Sequence, residues 1–247
     1  MNRTWDAIDH ARTPSLEAGE VHVWQASVDV IGDCFALLSR CLSPDERGRA
    51  GRFRFDRDRR RYIAARGTLR CLLGSYAGLA PTQVQFRYGP HGKPAMAPPF
   101  DALRFNIAHA EGLALYAFAI GRDLGIDVER IRPDIAYGQL AERFFSRREI
   151  EELRAVPGHL QAAAFFTAWT RKEAYLKARG DGLVVPLDQF DVSLSPGAAP
   201  TLLRSTSQPA DQARWRIYDV PPIPGYAAAL VVEGTVPRRY HRRLPLS

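Results

Sequence analysis

Two carboxylates stand two residues apart in the stretch GIDVER, Asp127 and Glu129, directly after the apolar run LALYAFAIG. In a strand, successive side chains alternate between faces, so these acids share one face while Ile126 and Val128 take the other. Like charges side by side repel. They are tolerated where water solvates them, where one holds a proton, or where a cation sits between them. Farther along, WTRKEAYLK sets Glu173 and Lys177 four apart on one helical face, in reach of each other. Glu173 is in register with Trp169 and Leu176 and close to the apolar stripe of Phe165 and Phe166, which puts a carboxylate at the edge of a core, where it needs a partner. Asp127, Glu129 and Glu173 form a hard-oxygen set of the kind magnesium takes together with water and substrate phosphate oxygens. Zinc is disfavoured because no His or Cys cluster joins them. The plain alternatives are a strand end running into water and an ordinary surface ion pair.

Positioning these groups requires a strand and a long helix, and both are legible. EVHVWQASV (20–28) alternates as a strand. Ser43, Pro44 and Glu46 open a helix with a capping box, and RDRRRYIAARGTLRCLLGSYAG continues as a second helix that stops at Gly78, its arginines largely on the face opposite Tyr62, Ala65, Leu69 and Leu72. After a turn-rich stretch with a short strand, LRFNIAHAEGLALYAFAIGRDLGIDVERI reads as two strands joined by the turn GRD. Ser146 and Glu149 form a second capping box, VPG ends that helix, and residues 159–178 form the longest helix, ended by RGDG. LVVPLDQFDVSL, ARWRIYDV and YAAALVVEG read as late strands. Each half thus runs strand, helices, strands, with a seam near residue 110 and no obvious sequence repeat.

The 247 residues, 46% of them hydrophobic, suffice for one large core or two modest ones. No segment approaches the roughly 20 apolar residues of a membrane span, and the first residues lack the apolar core of a secretion signal. The expectation is a cytoplasmic protein without membrane contact. Cys34, Cys41 and Cys71 are an odd count without metal-ligand spacing, which argues against a disulfide framework and a zinc site. Residues 47–70 hold ten arginines against Asp56 and Asp58, more than accounting for the net charge of +7. Such a concentrated field attracts polyanions: nucleic acid, a nucleotide-like molecule or an acidic protein.

GIDVER followed by WTRKEAYLK resembles the signature pair of the 4′-phosphopantetheinyl transferases, and HGKPAM, FNIAHA and FFSRREI match further blocks of the larger, Sfp-type branch in the same order. The resemblance runs from about residue 44 to about residue 190, and the length resembles that branch rather than the half-length trimeric carrier-protein synthases. It implies an α+β fold of two similar α/β lobes in one chain, a pseudo-dimer. The lobes are expected over residues 1–109 and 110–236, with 237–247 a mobile basic tail that serves solubility. It also implies a cytoplasmic monomer that moves the phosphopantetheine arm of coenzyme A to a serine of an apo acyl or peptidyl carrier protein, typically acidic, with release of 3′,5′-ADP. Polyketide or nonribosomal peptide biosynthesis is the associated setting.

Residue by residue, the resemblance implies that Asp127, Glu129 and Glu173 hold Mg²⁺, or Mn²⁺, on the pyrophosphate and draw off charge as phosphorus is attacked. Glu173 would deprotonate the incoming serine, directly or through water. Lys177 would neutralise the phosphate undergoing substitution, and His109 would contact the pyrophosphate. Lys93 of GKP and Arg49 would grip the ribose 3′-phosphate, and Arg61 would lie close to the adenine nucleotide. The family block is commonly FNISHS, whereas Ala108 and Ala110 stand here in place of both serines. The missing hydroxyl weakens coenzyme A binding by something on the order of 1 kcal/mol and leaves the metal ligands untouched.

Two other readings remain. The Arg-rich run could bind nucleic acid, but it lacks the interleaved aromatic or Gly-rich platform of an RNA-binding sheet, and the acids at 127, 129 and 173 would repel a phosphate backbone without a metal. A catalytically dead relative would bind coenzyme A or a carrier protein without turnover. The intact carboxylates argue against it.

Overall fold

EVHVWQAS forms β1 (Glu20–Ser27), and it is buried on nearly all of its length, on both faces. The computed structural model describes residues 15–180, 182, 185–206 and 208–245; residues 1–14, Asp181 of the expected helix stop, Leu183 and Val184 of the strand expected from 183, Ser207, and the last two residues of the tail lie outside them. After β1 come α1 (Gly32–Arg40), α2 (Pro44–Ala50) and α3 (Asp56–Ala77), then the hairpin β2 (Phe86–Tyr88) and β3 (Pro94–Met96). The next strands are β4 (Leu103–Ala110), β5 (Leu113–Ile120) and β6 (Leu124–Arg130). Helices α4 (Tyr137–Phe144), α5 (Arg147–Ala155) and α6 (Gly158–Arg179) precede β7 (Phe190–Val192) and β8 (Leu202–Ser205). The short α7 (Asp211–Arg214) leads to β9 (Trp215–Asp219), β10 (Tyr226–Glu233) and β11 (Arg238–Arg243).

Both expected capping boxes form: Glu46 takes the Ser43 amide at 3.0 Å, and Glu149 takes the Ser146 amide at 3.0 Å. Helices α3 and α6 end at Gly78 and Gly180, whose φ of 68° and 79° lie in the left-handed region.

Pleating organises the core into layers. A four-stranded sheet, order β11-β1-β5-β4, and a three-stranded sheet, order β6-β10-β9, pack face to face. On β5, Tyr116 and Phe118 turn to α3 while Leu115, Ala117 and Ala119 turn to Ile126 and Val128 of β6 and to Leu230 of β10. On the far side of the second sheet, Ala229 and Val231 pack against Phe165, Tyr175 and Leu176. The result is helix, sheet, sheet, helix: the two α/β lobes expected. Each fully buried Leu or Phe in these layers contributes about 1.5–3 kcal/mol.

Three departures from the sequence reading bear on how the sheets are arranged. Residues 103–130 form three strands, because Glu111 takes a φ of 48° beside Gly112 and turns β4 back into β5. The sheets part at Gly121–Asp123, beyond the seam expected near residue 110, since β5 pairs with β1 and β4. The segment expected to be a mobile tail is β11, paired in parallel with β1 from Glu20–Arg238 to Gln25–Arg243 and followed by the buried Leu244. A charged segment is stable there because it is an edge strand with largely exposed side chains, and Arg238 meets Glu20 at 3.3 Å.

Candidate active site

On β6, Ile126 and Val128 enter the core between the sheets, so Gly125, Asp127 and Glu129 face α6. Gly125 sets how closely the helix lies: a Cβ there would stand 2.1 Å from the Ala174 carbonyl oxygen and 2.3 Å from the Ala178 amide nitrogen. Only glycine lets the backbones meet at this point. The approach carries Lys177 to Asp127, where Nζ donates to Oδ1 at 2.6 Å. The sequence spacing set Lys177 beside Glu173. The observed ion-pair partner of Lys177 is Asp127.

The phase of α6 is fixed by a second ion pair. Lys172, just before Glu173, is fully buried and stands 2.7 Å from Glu149 Oε2, and its Nζ donates to the Leu187 and Phe190 carbonyls. The other Glu149 oxygen accepts from the Val192 amide at 2.8 Å. The capping-box glutamate of FFSRREI therefore binds α5, α6 and β7 together. The sequence shows the box but not this partnership, which joins segments distant in the chain.

The first lobe supplies the opposite wall. Asn106 in FNIAHA, unassigned by the sequence reading, accepts from the Ile126 amide at 2.9 Å and so ties β4 to β6. A polar residue inside an apolar strand was the available signal, since a buried amide requires a partner. Arg61 is held in a two-pronged contact by Asp29, at 2.7 and 2.9 Å, and Asp29 also crowds Gly112, where a Cβ would stand 2.5 Å from its carboxylate. Lys93, Asn106, Glu173 and Lys177 line one cleft of about 380 Å³ between the lobes. Within it Lys93 Nζ donates to the Leu124 and Ala178 carbonyls, and burial pushes its ammonium down to about 8.

The carboxylates and cations share one electrostatic neighbourhood. Burial above all raises the Asp127 carboxyl, against the pull of Lys177. Glu129 and Glu173 are likewise raised, first by desolvation and then by the Asp127 charge. His109 is reached by solvent yet surrounded by protein; desolvation first, then the Lys177 and Arg61 charges, hold its imidazole below the ordinary value. The structure thus brings Asp127, Glu129, Glu173, Lys177, His109 and Arg61 together and sets Lys93 on the same cleft. Arg49 is left on the exposed face of α2, its guanidinium 5.7 Å from the centre of the Tyr62 ring.

Among the described residues, no three carboxylate, imidazole or thiol groups converge on a point that would hold a metal ion in this arrangement. Asp127 nevertheless carries the mark of a cation ligand. Its Oδ2 is buried and meets no hydrogen-bond donor, an orphan acceptor beside two further carboxylates. The donor set is all oxygen, which fits a hard divalent cation. No helix among the described residues is long and apolar enough to cross a membrane.

Comparison with known proteins gives two family matches that together span most of the chain. Residues 23–119 match the model of the N-terminal part of 4′-phosphopantetheinyl transferases, and residues 123–231 that of the 4′-phosphopantetheinyl transferase superfamily. The chain is 40% identical over 236 residues to the 4′-phosphopantetheinyl transferase HetI of Nostoc sp., covering 95% of each chain. It is 31% identical to the 4′-phosphopantetheinyl transferase Sfp of Bacillus subtilis over 62% of this chain and 66% of that one. Among solved structures, the holo-[acyl-carrier-protein] synthase of Thermotoga maritima aligns at 21% identity with a TM-score of 0.34, covering 46% of this chain and 63% of that chain.

Proposed function

Because this chain belongs to the 4′-phosphopantetheinyl transferase superfamily, as an enzyme that moves the phosphopantetheine arm of coenzyme A to a serine of a carrier protein, we propose that transfer takes place in the cleft between β6, α6 and the end of β4. The observation that carries this reading is the meeting of Asp127, Glu129, Glu173 and Lys177 on the facing sides of β6 and α6, where Gly125 lets the backbones touch.

Each residue then has a role suited to its surroundings. Lys177 places a cation beside the carboxylates, where it neutralises the phosphate undergoing substitution. His109, kept neutral, donates a hydrogen bond to the pyrophosphate without adding charge. Arg61, aimed by Asp29, meets the nucleotide phosphates. Arg49 and Lys93 take the ribose 3′-phosphate, Lys93 with whatever donor capacity its two carbonyl bonds leave. Asp127, Glu129 and Glu173 would hold Mg²⁺, which when bound withdraws charge from the pyrophosphate. Glu173 accepts the serine proton as the serine oxygen bonds to phosphorus, and 3′,5′-ADP departs with the electron pair of the broken P–O bond. The carrier partner is acidic, and the enzyme acts as a cytoplasmic monomer.

The test is intact mass spectrometry of apo acyl and peptidyl carrier proteins incubated with this protein, coenzyme A and Mg²⁺, with an EDTA control. A gain of about 340 Da that EDTA abolishes is expected, matching covalent transfer of the arm. Coenzyme A binding without any mass gain across carriers of both kinds would instead support the dead-relative reading. A gain that survives EDTA would remove the metal from the mechanism.

A further inference from the structure

The ten arginines of residues 47–70 divide into two populations. Six are committed: Arg47 to the Leu42 carbonyl, Arg59 to Asp56, Arg60 to the Val30 carbonyl, and Arg61 to Asp29. Arg66 and Arg70 complete the six on the buried Glu46. The other four, Arg49, Arg52, Arg54 and Arg57, hold no hydrogen-bonded carboxylate among the described residues; Arg57 only approaches Asp58 at 3.6 Å, with its side chain 74% exposed. Three of these four interleave with aromatic residues in the run RFRFDR.

Those aromatic residues are open to water. Phe55 is 60% exposed and Phe53 38%, and Ile31 at the head of α1 is 72% exposed; these are three of the five large apolar side chains exposed among the described residues. Arg60 joins the two segments, with its guanidinium on the Val30 carbonyl and 4.0 Å from the centre of the Phe35 ring. Exposed apolar side chains in one stretch with uncommitted guanidiniums, Arg54 lying 5.3 Å from the centre of the Phe55 ring, mark an interaction surface. Apolar side chains flanked by carboxylates complement it, whereas a continuous phosphate backbone would meet the guanidiniums and leave Ile31, Phe53 and Phe55 uncovered. The surface also adjoins the cleft: Arg57 and Arg61 are four apart on α3, and Ile31 is two residues from Asp29, which holds Arg61.

We propose that Ile31, Phe53 and Phe55, with Arg52, Arg54 and Arg57, form the docking surface for an acidic amphipathic helix of the carrier-protein substrate. The proposal rests on the transferase reading above. Hot-spot energetics place the affinity in the buried aromatic anchor, with the surrounding charges setting the association rate and its salt dependence.

The experiment compares wild type with Phe55→Ser, Ile31→Ser and the double charge reversal Arg54→Glu/Arg57→Glu, all at exposed positions, with melting curves as the folding control. Steady-state transfer is measured against an apo carrier protein and against coenzyme A separately, and carrier binding is measured directly by fluorescence anisotropy. The expected result is a KM for the carrier raised about tenfold in each variant, with the KM for coenzyme A and kcat within about twofold. Unchanged carrier KM and binding in all three variants overturns the proposal. So does a rise in the coenzyme A KM instead, which would make the surface part of the nucleotide site. Loss of self-association in the variants without a change in carrier KM assigns the surface to a second copy, and loss of salt-sensitive RNA binding assigns it to nucleic acid; either overturns it. A wild type that binds and modifies no carrier fails at the transferase reading itself, a result distinct from the variant outcomes, and removes the proposal with it.

Discussion

Lys177 Nζ lies 2.6 Å from Asp127 Oδ1, across a sequence separation of 50 residues, although Glu173 stands one helical turn away on the same helix. The lysine joins the two motifs GIDVER and WTRKEAYLK, and that contact identifies the β6–α6 junction as the place where charge is concentrated.

Removing the Asp127 charge while keeping its shape separates chemistry from folding. Burial makes the ionised form costly at this position, so Asp127→Asn is expected to melt within a few degrees of wild type. Lys177, partly open to solvent, remains hydrated without its partner. Transfer to the carrier, followed by mass spectrometry, is expected to fall by on the order of 100-fold or more. Near-normal transfer by a folded Asp127→Asn protein would rule out this carboxylate as part of the site.

A methyl group at residue 125 has nowhere to go. Gly125→Ala would set a Cβ 2.1 Å from the Ala174 carbonyl oxygen and 2.9 Å from the Lys177 carbonyl carbon, against backbone that cannot rotate aside. The expected cost is roughly 3 kcal/mol of unfolding free energy in urea titration, with a loss of transfer activity in the fraction that stays folded. A variant as stable and as active as wild type would mean that α6 does not rest on β6 at this point.

The Glu149–Lys172 pair predicts strong non-additivity. Glu149→Gln and Lys172→Met alone each strand a buried partner and are expected to cost about 3–5 kcal/mol, while the double variant is expected to cost less than the sum. Denaturant melts of the four proteins give the coupling energy. Simple additivity would show that the two charges do not act as a pair.

His22 gives a pH dependence of fixed sign. Burial first, and then Arg242, hold its folded pKa below 6.5, while Glu20 pulls the other way; Tyr76 at 2.7 Å and the edge-on Tyr240 ring complete its surroundings. Its neutral form is the one the fold accepts, so no stability is lost above the unfolded pKa. As pH falls below 6.5 toward the folded pKa, the unfolded chain takes a proton that the folded chain refuses, and stability declines. His241, lowered by burial and Arg239, adds to the decline with the same sign. Melting temperature is therefore expected to drop between about pH 7.5 and about pH 5.5, and His22→Gln to drop less. An equal drop in both proteins would discount His22.

Local signals carried much of the fold and of the site. The capping boxes at Ser43 and Ser146, the glycine stops at Gly78 and Gly180, and the shared face of Asp127 and Glu129 follow from short-range geometry, and each formed as read. What escaped were contacts between distant segments. RRYHRR shows no apolar alternation because an edge strand beside β1 needs none, and Glu111 before Gly112 gave little warning of a hairpin inside an apolar run. Glu149 reads only as the glutamate of a capping box, and Lys172 carries no signal of its own, until their helices are packed. Arg70, one of the arginines read as lying largely opposite the apolar stripe of this helix, is buried on Glu46 for the same reason.

Because β11 leaves the second half of the chain and lies down beside β1, the second half lends the first an edge strand, and the first sheet is incomplete without it. Cutting the backbone at Gly121–Asp123 would yield one fragment lacking a strand of its own sheet and another carrying that strand with no sheet to join. Such fragments are suited to complementation: silent apart, and restored on mixing when the borrowed strand finds its slot.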